Sequence, residues 1–188
     1  VYTKKLAEAF EREKGDLLIL LGDIYYHGPR NPLPEGYDPK GVAEILNAMT
    51  DRLVVLKGNC DSQVDTLISD FGFIEDMLIS VGGKTVFLTH GHVFNLSSLP
   101  PLKDGDLLIH GHRHVFNKDV PPKTRVSAVL YGHFHTGFIQ RENGVLYGNP
   151  GSVSLPKNGT PRSYFTLEEN GVLTLKTLDG ETIASAGV

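Results

Sequence analysis

The chain has 188 residues, with 18 Lys and Arg against 22 Asp and Glu, giving a formal net charge of −4. That length fits one domain with a sizeable core, and 40% hydrophobic with 21% charged residues excludes a disordered chain or a coiled coil. The near-balanced charge gives no nucleic-acid-binding patch, and a single cysteine, Cys60, excludes an internal disulfide or a thiolate metal cage. Seven of the eight histidines (His90, His92, His110, His112, His114, His133 and His135) fall within 46 residues.

The chain opens on Val1 inside what reads as an amphipathic helix over Thr3–Lys14, with Thr3 as cap, Leu6 and Phe10 on one face and Gly15 as stop. Opening in mid-helix reads as a fragment. Leu17–Leu21 is apolar at every position, the pattern of a strand buried on both faces of a parallel sheet, and ends in Gly22-Asp23. A loop rich in Pro and Gly, from His27 to Gly36, leads to a helix over Gly41–Met49. The strand Leu53–Leu56 then ends in Gly58-Asn59-Cys60-Asp61, and a short helix over Ser62–Phe71 closes the unit. From there the pattern becomes mostly antiparallel. Met77–Val81 and Thr85–Thr89 flank Gly82-Gly83; Gly137–Arg141 and Val145–Tyr147 flank Glu142-Asn143-Gly144; Ser163–Leu167 and Val172–Leu178 flank Glu169-Asn170-Gly171. Two packed sheets with helices outside is the expected architecture.

A repeat interrupts this order. His92-Val93-Phe94-Asn95, Leu99-Pro100-Pro101 and Leu107-Leu108-Ile109-His110-Gly111-His112-Arg113-His114 form one copy. His114-Val115-Phe116-Asn117, Val120-Pro121-Pro122 and Ala128-Val129-Leu130-Tyr131-Gly132-His133-Phe134-His135 form the other, at an offset of 21 to 22 residues. Two copies are too few for a solenoid. A single domain over 1–188, with about 112–134 as a tandem-duplicated loop–strand insertion, is the expectation.

Candidate ligands follow apolar strands: Asp23 after Leu17–Leu21, Asn59 after Leu53–Leu56, His90 after Val86–Thr89, His112 and His114 after Leu107–Ile109, and His133 and His135 after Val129–Tyr131. In open α/β sheets, sites assemble beyond the carboxyl ends of strands. Carboxylate, amide oxygen and imidazole without sulfur suit Mn, Fe, Zn, Ni or Co. A carboxylate able to bridge, with ligands from several strands, suggests two ions about 3.5–4 Å apart acting on a phosphoryl group. Taken singly, a Gly-Asp after a strand is usually just a turn, Asn59 after Gly58 suits a left-handed turn, and a lone histidine after an apolar strand is usually core.

Together, Gly22-Asp23, Gly58-Asn59-Cys60-Asp61, Thr89-His90-Gly91-His92, a Gly-His-x-His and Asn149-Pro150-Gly151-Ser152 resemble the calcineurin-like metallophosphoesterase superfamily, closest to its small bacterial phosphodiesterase branch. The resemblance implies an α/β/β/α sandwich of two mixed sheets flanked by helices. It also implies two divalent ions, manganese first, and hydrolysis of a small phosphodiester by a metal-bound hydroxide in a cytoplasmic enzyme. Asp23 would bridge both ions, Asn59 and His90 would bind the second, and the Gly-His-x-His would give one histidine to each. His92 would face the phosphate, His27 and Arg30 would contact it from the loop after Asp23, and Cys60 would line the site.

This chain departs from the family pattern in three places. The family opens on a strand ending in Asp-x-His, and this chain starts at the helix that follows it, so the fragment is expected to be poorly active. Cys60 stands where the commoner motif has histidine. Two Gly-His-x-His copies stand where the family has one; His133 and His135 are favoured over His112 and His114 because they run straight into the next hairpin. The alternative is a non-catalytic scaffold or binding module with a degenerate site. No membrane segment is expected, and a homo-oligomer is left open.

Overall fold

Helix α1 (Tyr2–Glu13) presents Ala9 and Phe10 to the interior. The computed structural model describes every residue other than His27, Arg30 and 113–125. Val1, not Thr3, precedes the first turn, and no side chain caps it. The helix stops where Lys14 turns left-handed, at a φ of 54°, and the Gly15 N–H returns to the Phe10 carbonyl at 3.2 Å. Glycine is needed at position 15 because a Cβ there would lie 2.7 Å from Cδ2 of Phe10.

Strand β1 (Leu18–Leu20) is shorter and less buried than its apolar run suggests. It runs parallel to β2 (Leu53–Leu56), in the register Leu18 to Leu53 and Leu20 to Val55. Between them α2 (Pro39–Asn47) begins at Asp38, whose carboxylate accepts from the Gly41 N–H at 3.0 Å, with Pro39 in the first turn. The helix expected over Ser62–Phe71 is only a 3-10 turn over Gln63–Leu67. Val64 and Leu67 point outward, so no apolar face rewards a longer helix. The chain instead adds β3 (Phe73–Ile74), parallel to β2.

A six-stranded sheet follows, comprising β4 (Asp76–Val81), β5 (Lys84–Thr89), β6 (Leu107–His110), β7 (Ala128–Tyr131), β8 (Gly137–Glu142) and β9 (Val145–Pro150), in the order β4-β5-β6-β7-β9-β8. The β4–β5 and β8–β9 hairpins are those expected. Asn143 and Gly144 turn the second with φ of 50° and 82°. The expectation of a mostly antiparallel second half fails at the centre, because β5, β6, β7 and β9 all run parallel. Their apolar runs are continuous because both faces are covered. A third sheet of β10 (Ser163–Leu167), β11 (Val172–Thr177) and β12 (Thr182–Gly187) is antiparallel, and β12 was not anticipated.

Side chains alternate between two cores with the strand period of two. Val86, Leu88, Leu107, Ala128, Leu130 and Leu146 pack toward Ile19 and Leu56 of the first sheet, Leu21 just after β1, and Phe165 and Leu173 of the third sheet. Phe87, Leu108, Val129 and Tyr131 pack on the opposite face, under Phe94, Leu96, Leu99 and Leu102. A third cluster joins Leu46 of α2 to Leu53 and Val55. The expected sandwich is therefore present, with one layer divided into two three-stranded sheets. Among the described residues α1 and α2 lie on one side, and irregular chain covers the other. No described helix is long and apolar enough to cross a membrane.

Candidate metal centre

The carboxyl ends of β1, β2, β5 and β6 meet at one edge, because β1 and β2 are parallel neighbours and so are β5 and β6. After β1, Gly22 takes a φ of 98° and Asp23 one of 57°. A Cβ on Gly22 would lie 2.6 Å from both Gly58 N and His90 Nδ1, so only glycine allows this approach. His90, buried at the end of β5, sets Nδ1 2.6 Å from the Leu21 carbonyl and Nε2 2.9 Å from Asn59 Oδ1. Its Nε2 is also 3.7 Å from Asp23 Oδ1.

A carbonyl only accepts, so Nδ1 carries a proton. In the neutral ring Nε2 then offers a lone pair to two oxygens that are themselves acceptors. The Asn59 amide is oriented by its Nδ2, which donates to Cys60 Sγ at 3.4 Å, leaving Oδ1 toward His90. Convergent acceptors repel one another, and a cation among them satisfies all three. His112, also buried, completes the group: one ligand atom from each of Asp23, His90 and His112 lies within 4.8 Å of the others. Its backbone N–H donates to the His90 carbonyl, and its carbonyl accepts from His110 Nδ1 at 3.0 Å. These donors fit a divalent metal of the manganese, iron or zinc type.

The remaining candidates surround this group. His92 lies 5.5 Å from His90 between ring centroids, and His133 lies 4.7 Å from His112. His135 sets Nδ1 2.9 Å from the Leu155 carbonyl, as His90 does with Leu21, and its own carbonyl accepts from Lys157 N at 2.8 Å. Both His133 and His135 have left-handed backbones, at φ of 68° and 57°. Cys60 N–H donates to Asp23 Oδ1 at 2.9 Å. Burial pushes the Cys60 thiol up, and the charges of Asp23 and Asp61 add to this, so it stays protonated at neutral pH. His27, Arg30 and His114 lie outside the described residues.

Two residues of the sequence motifs take structural roles that were not among the expected site residues. Asp61 is buried and accepts three backbone N–H groups, from Gly58 at 2.7 Å, Asp23 at 2.8 Å and Ile24 at 2.9 Å. Burial raises its carboxyl above the usual range, and those three bonds partly offset the rise. Asn149 is fully buried; its Nδ2 donates to the Gly132 carbonyl and its Oδ1 accepts from Gly151 N, each at 2.8 Å. The spacing of Gly58 and Asp61, three residues apart, was the available signal for the first.

The sequence profile of the calcineurin-like phosphoesterase superfamily domain matches residues 2–126 and again 118–171. The chain belongs to that superfamily. It is 36% identical over 182 residues to the phosphodiesterase YfcE of Escherichia coli, covering 96% of this chain and 87% of YfcE. A probable metallophosphoesterase of Bacillus subtilis, YsnB, is 29% identical over 137 residues, which span 72% of this chain and 69% of that protein. Among solved structures, YfcE, a phosphoesterase from E. coli, superposes with a TM-score of 0.79 at 35% identity, covering all of this chain and 92% of that one. This member of the superfamily therefore has the fold of a phosphoric ester hydrolase.

Proposed function

We propose that the chain is a divalent-metal-dependent phosphodiesterase acting on a small phosphodiester through a two-metal site. The observation that carries this reading is the convergence of His90 Nε2 on Asn59 Oδ1 at 2.9 Å and Asp23 Oδ1 at 3.7 Å, with His112 beside them. The name of the relative YfcE supports the diester preference.

Asp23 would bridge the ions, Asn59 and His90 would hold the second, and the Gly-His-x-His would give one histidine to each. The geometry favours His112 over His133 and His135 for that last role, and His114 stays with its copy as a further candidate. When bound, the ions supply Lewis-acid polarisation of the phosphoryl group and acidify water. His92, 5.5 Å from His90, presents an imidazole to the phosphate. His27 and Arg30, on the loop after Asp23, bind its oxygens, Arg30 through its fork. Cys60 lines the site as a neutral thiol, compatible with a reducing cytoplasm. Manganese is the first candidate for the ions.

The whole chain is read as one domain in which about 112–134 is a duplicated insertion. The two family matches overlap over residues 118–126, which supports a doubled stretch. Hydrolysis of bis-p-nitrophenyl phosphate by the manganese-loaded protein is the test. Turnover that disappears with chelation and returns with metal is expected. A loaded protein that binds two ions without turnover would refute the enzyme, and one that binds neither would leave the scaffold reading.

A further inference from the structure

We infer that Asp61 is a positioning residue, its buried carboxylate locking the loops after β1 and β2 in the arrangement that aims Asp23 at His90 and Asn59. This rests on the metal-binding reading above.

The last β1–β2 pair in register is Leu20 with Val55. Beyond it the ladder ends, yet Asp23 and Asn59 must converge from the two diverging segments. The Asp61 carboxylate takes the place of the missing ladder. Oδ2 accepts from Gly58 N at 2.7 Å and Asp23 N at 2.8 Å, and Oδ1 accepts from Ile24 N at 2.9 Å. Asp23 answers in the other direction, its Oδ1 accepting from Cys60 N at 2.9 Å. The loops are thus tied twice, by two carboxylates pointing opposite ways.

The tie also supports a strained backbone. Asp23 has a φ of 57°, a region that non-glycine residues avoid unless neighbours hold them there. Its N–H is one of the three that Asp61 holds. The side chain at 61 must be an acceptor at both oxygens, because all three of its partners are donors. An asparagine of the same shape offers one acceptor oxygen and turns an NH2 group toward a donor. Asp61→Asn therefore releases at least one bond while keeping size and packing.

The experiment compares the full chain with its Asp61→Asn and Asp61→Glu variants. Manganese affinity is read by electron paramagnetic resonance, kcat and KM with bis-p-nitrophenyl phosphate, and folding by thermal melting. Asp61→Asn should bind manganese 10- to 100-fold more weakly, the usual loss when a partner orienting a ligand is removed. At saturating manganese kcat should fall with KM within about twofold, since Asp61 touches no substrate. Asp61→Glu restores charge but displaces the carboxylate by one methylene, and should not rescue affinity.

A folded Asp61→Asn with the parent's manganese affinity and kcat would overturn the inference, as would full rescue by Asp61→Glu. Amide hydrogen exchange of the metal-free parent decides the matter even where the variants do not fold. The Asp23, Ile24 and Gly58 amides should already be protected before any metal is added. Free exchange that becomes protected only with zinc would overturn the positioning role. Exchange and metal affinity need no substrate, so a chain that binds metal without turnover would sink the phosphodiesterase and leave this inference standing.

Discussion

The Leu21 carbonyl oxygen lies 2.6 Å from His90 Nδ1, joining the end of β1 to the end of β5 across 69 residues of sequence. This bond assigns the proton to Nδ1 and turns Nε2 toward Asn59 and Asp23. Replacing His90 with Ala should therefore remove a ligand while leaving the Asp23–Cys60 contact in place. Asp23→Ala should remove both a ligand and that contact. Isothermal titration with manganese should show losses on the order of 100-fold or more for each variant, the upper end of what altered metal shells cost. Retention of metal and turnover by Asp23→Ala would refute the bridging role.

Which Gly-His-x-His copy serves the site is separable by mutation. His112 shares the 4.8 Å donor group with Asp23 and His90, a group that His133 and His135 do not join. His112→Ala should lower manganese affinity by at least about tenfold. The paired change at His133 and His135 should lower it less, even though His133 lies beside His112. The reverse order in the same titration would return the site to the second copy.

The ends of β1, β2 and β5 were readable because each apolar run stops at a residue type that binds metal. The choice between copies was not, because β6 and β7 carry the same pattern and only their place in the sheet separates them. β6 lies against β5, whose end carries His90, while β7 lies one strand farther away. The parallel centre was missed for a related reason: hairpin turns are visible as Gly-Gly or Asn-Gly, but a crossover leaves no local mark. The role of Asp61 was only half legible, because Gly58 N–H lies three residues away in the same segment while its other two partners, the Asp23 and Ile24 N–H groups, belong to another segment, which no side-chain pattern encodes.

The sequence repeat makes a direct prediction about modularity. β6 and β7 pair with Leu107 opposite Ala128 and His110 opposite Tyr131, so equivalent residues of the repeat face one another. The first copy is bonded to β5, through Gly111 N to the Thr89 carbonyl at 3.2 Å, and the second to β9, through Asn149 Nδ2 to the Gly132 carbonyl at 2.8 Å. Each copy keeps one neighbour that a single unit would hold on both sides. Deleting residues 112–132 joins Gly111 to His133 and leaves one Gly-His-x-His between β5 and β9. The deleted chain should melt cooperatively and keep a manganese site in titration. A chain that collapses or loses the metal would show that β7 is an integral strand.

Glu13 at the end of α1 sets a pH dependence away from the site. Its Oε2 accepts from Lys176 Nζ at 2.5 Å and its Oε1 from Tyr164 at 2.8 Å, tying the helix to β11 and β10. Burial alone would raise its carboxyl, but the Lys176 and Tyr164 hydrogen bonds and the Lys176 and Arg12 charges outweigh it and hold the group below the glutamate range. A carboxyl depressed in the folded state stabilises the fold above its unfolded value of about 4.3, and that contribution fades as pH falls through the folded value. Glu13→Gln keeps the shape and loses the charge. At neutral pH it should cost about 1–2 kcal/mol, the scale of a hydrogen bond to a charged group in a partly exposed position. That corresponds to a melting temperature lower by roughly 2–8 °C for a chain of this size. As pH falls below about 4.3 and through the lower folded value, the parent should lose this advantage and the two melting curves should converge. A gap that stays constant across that range, measured by thermal melts at fixed ionic strength, would show that the Glu13 charge contributes nothing to the tie between α1 and the third sheet.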